Sequence, residues 1–153
     1  SRNMLEIAKI KSKNKIKSSI KYVHGFAENL PFKDNSLDII TIAFGIRNFN
    51  NYEQALKEIK RVLKPNGTLA ILEFCKPKNN LFQLLFTFYF NNLVPIIGKI
   101  LTSEKLFDYL PESVNNFFSK DELIKKINEK GFSKSFSKDL TFGICSIIIS
   151  KKN

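Results

Sequence analysis

Apolar positions along this chain recur at two different spacings. In "YEQALKEIKRVLK", residues 52 to 64, Ala55, Leu56, Ile59, Val62 and Leu63 fall on one helical face, and "KPNG" follows as a stop. On either side, "DIITIAF" at 38–44 and "TLAILEF" at 68–74 are almost continuously apolar and rich in β-branched residues. Such runs predict strands buried on both faces, as in a parallel sheet covered by helices. Strand, helix and strand in close succession form a βαβ unit, so the chain reads as α/β.

The remaining pattern extends that reading. "NMLEIAKIK" carries Met4, Ile7 and Ala8 at helical spacing and predicts a helix over 3–12. "IKYVHG" predicts a short strand ending at Gly25, and "AENLPFKDNSL" a polar connection that turns at Asp34, Asn35 and Ser36. "SKDELIKKINEKGF" predicts a helix with Ser119 as N-cap, Glu122 completing a capping box and Gly131 beyond its end. "SKSFSKDL" and "ICSIIIS" predict two closing strands. Between 77 and 118 the regularity loosens around Pro95 and Pro111. There Phe82, Leu85, Phe86, Tyr89, Phe90 and Leu93 form one helical stripe that Leu84 and Phe88 widen. Two readings stand for this stripe: a plain core helix, or the cover of an apolar substrate pocket touching a membrane interface. The expected organisation is one domain over 1–153 with a lid-like aromatic insertion at about 77–118.

Composition narrows the possibilities. A length of 153 residues suits one core, and 43% apolar residues exclude a disordered chain. Cys75 and Cys145, seventy positions apart, suggest neither a disulfide scaffold nor a thiolate metal site, and a reducing compartment fits them. With His24 the lone histidine, no metal is expected. The formal charge of +11 comes from lysines spread through the chain, densest in "KIKSKNKIKSS" at 9–19. That cluster lacks the interleaved aromatics of a base-stacking surface, so it reads first as a solvated helix end and loop and second as a contact with an anionic membrane surface, and nucleic acid is not an expected partner.

Candidate chemistry centres on "TIAFGIRNFNN" at 41–51. Ligands of open parallel sheets bind beyond the carboxyl ends of strands, where Phe44, Gly45, Arg47 and Asn48 fall. Gly45 would let the chain turn, or a ligand approach, without a Cβ in the way. Arg47 offers up to five donors and Asn48 an amide. Either Arg47 pairs with an acidic residue while Asn48 caps the next helix, or both face a ligand. Glu28 is a solvated loop residue or an acceptor for a bound polar group. His24 reads as a strand-end side chain, and both cysteines as apolar fill.

The residues then point to a family. "ENLPFKDNSLDIITIAFGIRNFNNYEQALKEIKRVLKPNGTLAILEFCKP", with "LFDYLPES" and "LTFGICS" later, resembles the quinone-biosynthesis C-methyltransferases that use S-adenosylmethionine. "VLKP.G" alone is common among adenosylmethionine enzymes, but "FGIRN" followed by "LEF.KP" is specific, and the ending resembles the menaquinone branch. The resemblance implies a Rossmann-like sheet with its last strand antiparallel, here apparently lacking the N-terminal strands and glycine-rich loop. It implies transfer of a methyl group from S-adenosylmethionine to a ring carbon of demethylmenaquinol. Arg47, Asn48 and Tyr109 then carry the catalytic roles, and Phe26, Ala27, Glu28, Phe44 and Gly45 the cofactor-binding ones. Phe26 stands where relatives have an aspartate that meets the adenine edge, and the Ala27 amide position is kept. Glu112 would meet the quinone head or anchor the lid, and the aromatics of 82–90 would receive the prenyl tail.

On this reading Arg47 and Asn48 stabilise the hydroquinone oxyanion, and Arg47→Ala is expected to cut turnover by orders of magnitude while leaving folding intact. Expected partners are a prenylated hydroquinone, an anionic membrane touched peripherally and a second copy of the chain; the expected location is the cytoplasm at the inner membrane face. A noncatalytic quinone- or membrane-binding remnant, the ubiquinone-pathway enzyme and a nucleic-acid-binding protein are the rival readings.

Overall fold

The computed structural model describes residues 1–12, 20–75, 84, 88, 92, 113, 114 and 116–153, with Phe142 described by its backbone alone. Its elements are α1 (Arg2–Ser12), β1 (Leu37–Ala43), α2 (Tyr52–Val62), β2 (Leu63–Phe74), α3 (Lys120–Glu129), β3 (Phe132–Leu140) and β4 (Cys145–Lys152). Short 3-10 turns occupy Ile46–Asn48 and Thr141–Gly143.

The four strands form one sheet in the order β1-β2-β4-β3. β1 and β2 run parallel, with Ile40 opposite Leu69 and Ile42 opposite Ile71, as the α2 crossover requires. β4 is antiparallel to both β2 and β3. Alternation along each strand then decides what is buried. Leu69, Ile71 and Glu73 of β2 share a face with Ser146, Ile148 and Ser150 of β4, and all six are buried.

α2 and α3 cover that face. Asn51 caps α2 by accepting from the Gln54 amide, and Leu56 and Ile59 meet Leu63, Leu69 and Ile71 in the core. Ser119 and Glu122 form a reciprocal capping box on α3, which adds Leu123 and Ile127 to the same cluster. Each such side chain contributes about 1.5–3 kcal/mol by leaving water. Leu56, wholly buried between helix and sheet, is the position where truncation to alanine should cost most, about 2–5 kcal/mol.

The opposite face is not covered by described residues, which corrects the expectation that 38–44 is buried on both sides. Ile39 is 62% exposed, Phe136 60%, and Thr41 and Ala43 are exposed. α1 forms where its pattern predicts, but Met4, Ile7 and Ile10 are exposed and none of its residues is buried.

Residues 20–25 are not a strand. A strand needs a ladder for its backbone groups, and no described strand lies alongside. The connection up to β1 is instead organised by α2. Arg61 donates to the Phe32 and Leu30 carbonyls and to Asp34, while Glu58 accepts from the Leu30 amide.

The "KPNG" stop lies inside β2 rather than before it. Asn66 takes φ 62°, the pairing with β1 shifts register between Leu37 and Ile39, and a Cβ on Gly67 would stand 2.8 Å from the Lys64 carbonyl oxygen. Glycine is required there by the close approach of backbone.

Most of the expected 77–118 lid lies outside the described residues. Within it Leu84 and Phe88 are exposed and Val114 is buried.

Candidate active site

Parallel pairing of β1 and β2 brings their carboxyl ends side by side, Ala43 opposite Leu72. Beyond β1 the Phe44 amide still donates to the Leu72 carbonyl at 2.8 Å. Phe44 itself then turns the chain, at φ 52°. Gly45 has φ −129°, and a Cβ there would meet nothing nearer than 3.5 Å. The turn expected of Gly45 is therefore made by its neighbour, and the protein's own structure does not require glycine at 45.

Ile46 follows, fully buried, and anchors the 3-10 turn that carries Arg47 and Asn48. Arg47 is directed back over the end of β2. Its Nη1 donates to Glu73 Oε1 at 2.6 Å, its Nε to Ser113 Oγ at 3.4 Å, and its guanidinium carbon lies 5.6 Å from the centre of the Phe74 ring. Phe44 packs on the same ring, with centroids 4.7 Å apart. Both members of the ion pair are withdrawn from water, at 4% and 0% side-chain exposure. Glu73 Oε1 also accepts from the Phe74 amide, while Oε2 is buried with no hydrogen-bond partner among the described residues.

Thus the acid-pairing reading of Arg47 is correct, whereas the capping reading of Asn48 is not. Asn51 caps α2, and Asn48 is exposed beside Arg47. Glu73 is the participant that sequence reasoning left without a role. Its signal was present: a lone acid at the end of an otherwise apolar strand needs a cation.

Two loops are joined at this end of the sheet. Glu28 Oε1 accepts from the Asn51 amide at 3.0 Å, and that bond is the foremost cause holding the Glu28 carboxyl below the usual glutamate range. It draws the turn at Phe26–Asn29, closed by the Asn29 amide on the Phe26 carbonyl, toward the loop that carries Arg47. Phe26 is 66% exposed and stands edge-on to His24, with centroids 6.1 Å apart. The structure therefore places Phe44, Gly45, Arg47 and Asn48 beyond the end of β1, and ties the turn holding Phe26, Ala27 and Glu28 to the loop that follows through the Glu28–Asn51 bond. Tyr109 and Glu112 lie outside the described residues.

Cys75 is buried and Cys145 partly so, with burial pushing the Cys75 thiol up to about 11. They pack as apolar fill, as expected of cysteines with no histidine placed to activate them. Among the described residues no group of three or more acidic, histidine or cysteine side chains is placed to hold a metal ion.

A sequence model described as the ubiE/COQ5 methyltransferase family matches residues 1–152. The chain belongs to the ubiE/COQ5 methyltransferase family. It is 40% identical over 153 residues to a demethylmenaquinone methyltransferase of Staphylococcus saprophyticus, covering 99% of this chain and 65% of that protein. It is 47% identical over 146 residues to a Rickettsia bellii protein named ubiquinone/menaquinone biosynthesis C-methyltransferase UbiE, covering 94% and 59% respectively. The chain thus spans roughly three fifths of the length of these curated relatives. In structure it is similar to an adenosylmethionine-dependent methyltransferase of Thermotoga maritima, with a TM-score of 0.70, 21% identity, and coverage of 100% of this chain and 70% of that one. That similarity shows the fold.

The cofactor implied by the ubiE/COQ5 family is S-adenosylmethionine, and the residues present suit its flat, apolar adenine end. Phe26 and Phe44 offer partly exposed phenyl rings, and Ala27 lies between Phe26 and Glu28 in the turn. A phenyl face stacks on an aromatic base but accepts no hydrogen bond from it. Glu28 Oε1 is engaged by the Asn51 amide.

Proposed function

We propose that this protein methylates a ring carbon of a prenylated hydroquinone, demethylmenaquinol, with S-adenosylmethionine as donor. The observation that carries this reading is Arg47, held by Glu73 at the joined carboxyl ends of β1 and β2 with Asn48 exposed beside it. When bound, S-adenosylmethionine supplies a methyl group on a cationic sulfur, whose leaving group is a neutral thioether.

The residues of this chain serve the other reactant. Arg47 brings fixed positive charge near the hydroxyl oxygen that must shed its proton, and Asn48 adds an amide donor. Arginine stays protonated and has no acceptor, so it cannot itself take that proton, which passes to water beside Asn48. Glu73 keeps the guanidinium from swinging, which preserves the alignment that displacement at carbon requires. Phe44 and Phe74 shield the charge from bulk water.

Demethylmenaquinol is favoured by the name of the staphylococcal relative, whereas the rickettsial relative's name includes ubiquinone, which supports a ubiquinone-pathway substrate as second reading. The test is a side-by-side assay of the complete natural polypeptide with adenosylmethionine and each reduced quinone. Methyl incorporation into demethylmenaquinol supports the first reading, and preference for the benzoquinol supports the second. Quinone binding without adenosylmethionine binding would overturn both in favour of a noncatalytic remnant.

A further inference from the structure

A second feature lies at the far end of the sheet from Arg47, where α2 runs into β2 and β4 ends at Lys152. A cleft of about 620 Å³ opens there between the C-terminal half of α2, the turn from α3 into β3 and the end of β4. It is lined by Lys57, Lys60, Arg61, Lys130 and Lys152, with Glu129 as its one acidic residue. We propose that this cleft binds a phosphate-type oxyanion, bridged by Lys60 and Lys152.

The argument starts from which cations are already neutralised. Arg61 is paired with Glu58 and Asp34, and Lys130 with Glu53. Among the described residues Lys152 donates only to neutral oxygens, those of the Asn35 amide and the Leu63 carbonyl. Lys60 and Lys57 have no acidic partner within ion-pair distance among the described residues. Lys60 and Lys152 are both half-buried, so their repulsion is poorly screened. Desolvation first and then the charge of Lys60 hold the Lys152 ammonium below the usual lysine range. Like charges lining one half-buried cleft repel each other, and a ligand carrying two or more negative oxygens relieves that repulsion.

The floor of the cleft is shaped for this arrangement. Gly131 has φ +84°, and the Lys60 ammonium occupies the space that a side chain at 131 would fill. Glycine both permits the backbone turn and admits the cation. The volume is in the range of small-ligand sites. No aromatic side chain lines the cleft, which removes the stacking platform a nucleic acid base would need. The proposal does not depend on the methyl-transfer reading.

The test is titration of the protein with pyrophosphate, followed by backbone amide shifts and by calorimetry. Saturable shifts centred on Lys60, Gly131 and Lys152 are expected. Lys60→Gln, which removes no hydrogen bond among the described residues, should weaken binding about tenfold or more, whereas Lys125→Gln on the exposed side of α3 should change it less than about twofold. Lys152→Arg, which keeps charge and donors, should retain binding and guards against misfolding as an explanation. Phosphatidylglycerol vesicles that displace pyrophosphate from the Gly131 signal would identify a lipid headgroup as the source of the phosphate; vesicles without effect would identify a soluble one. Equal weakening by Lys60→Gln and Lys125→Gln, or no saturable shift at millimolar pyrophosphate, would overturn the proposal.

Discussion

The Arg47 guanidinium and the Glu73 carboxylate meet at 2.6 Å, both almost wholly removed from solvent, at the end of the apolar run Leu69–Leu72 of β2. Breaking a buried pair from one side leaves the other charge stranded, which costs more than the pair itself contributes. Arg47→Ala is therefore expected to weaken the fold as well as turnover, whereas the sequence alone led to the expectation that folding would stay intact. Arg47→Met and Glu73→Met are each expected to lower unfolding free energy by about 3–5 kcal/mol, and the double variant to recover most of it. Urea unfolding of the four proteins measures this. Methyl transfer should be lost in the double variant despite its recovered stability, by about 10²-fold or more. Recovery of turnover together with stability would reduce Arg47 to a structural residue.

Gly45 and Gly67 separate ligand from scaffold. A Cβ at 67 would press on the Lys64 and Asp38 carbonyl oxygens at 2.8 and 3.2 Å, so Gly67→Ala should destabilise by about 1–3 kcal/mol. Gly45→Ala meets only ordinary contacts and should leave the thermal midpoint unchanged. If Gly45→Ala also leaves adenosylmethionine affinity unchanged, Gly45 has no part in binding.

Acid should weaken the fold in a definite direction. Glu58 is held below the usual glutamate range chiefly by Arg61, Glu28 by the Asn51 amide and Glu53 by Lys130. For carboxylates so depressed, the stabilisation is complete above the unfolded value of about 4.3 and is lost as pH falls through the lower folded values. The urea midpoint should be level between about pH 5.5 and 7 and fall below about pH 4.3. Glu58→Gln should flatten that fall; an unchanged acid limb would mean the linkage lies elsewhere.

Burial of Cys75 raises its thiol to about 11, so the thiolate is scarce at neutral pH and shielded as well. Iodoacetamide at pH 8 should leave Cys75 unmodified in the native protein over a period that labels the denatured chain fully. Equal rates in the two states would contradict the packing of β2 against β4. The sign for stability is opposite to the carboxylates: the contribution is present below the ordinary thiol range and is lost as pH rises toward about 11.

Periodicity alone located β1, α2 and β2, because a strand–helix–strand unit is a local pattern with its own punctuation. The Ser119–Glu122 box and the left-handed Gly131 were legible for the same reason: capping chemistry is written within four residues. What the sequence could not display was anything decided by coverage or by distant partners. "DIITIAF" reads the same whether one face or two are covered, and "IKYVHG" reads as a strand whether or not a ladder is at hand. Arg61 resembles any lysine or arginine of an amphipathic helix, yet it organises the whole approach to β1. In the site, Arg47 was found by its position after Gly45, while its partner Glu73 lies twenty-six residues away and only the sheet register brings them together.

The outer border of β1 has a further consequence. Among the described residues β1 ends the sheet, and Ile39, Ile40, Thr41 and Ile42 follow one another without a proline or a charge to blunt it. Such a border can template the addition of another extended segment, and mutual repulsion between molecules carrying +11 opposes that addition between copies. Raising the salt concentration shortens the reach of that repulsion to about 3 Å at 1 M, so concentrated brine should make this chain clump where dilute buffer keeps it apart.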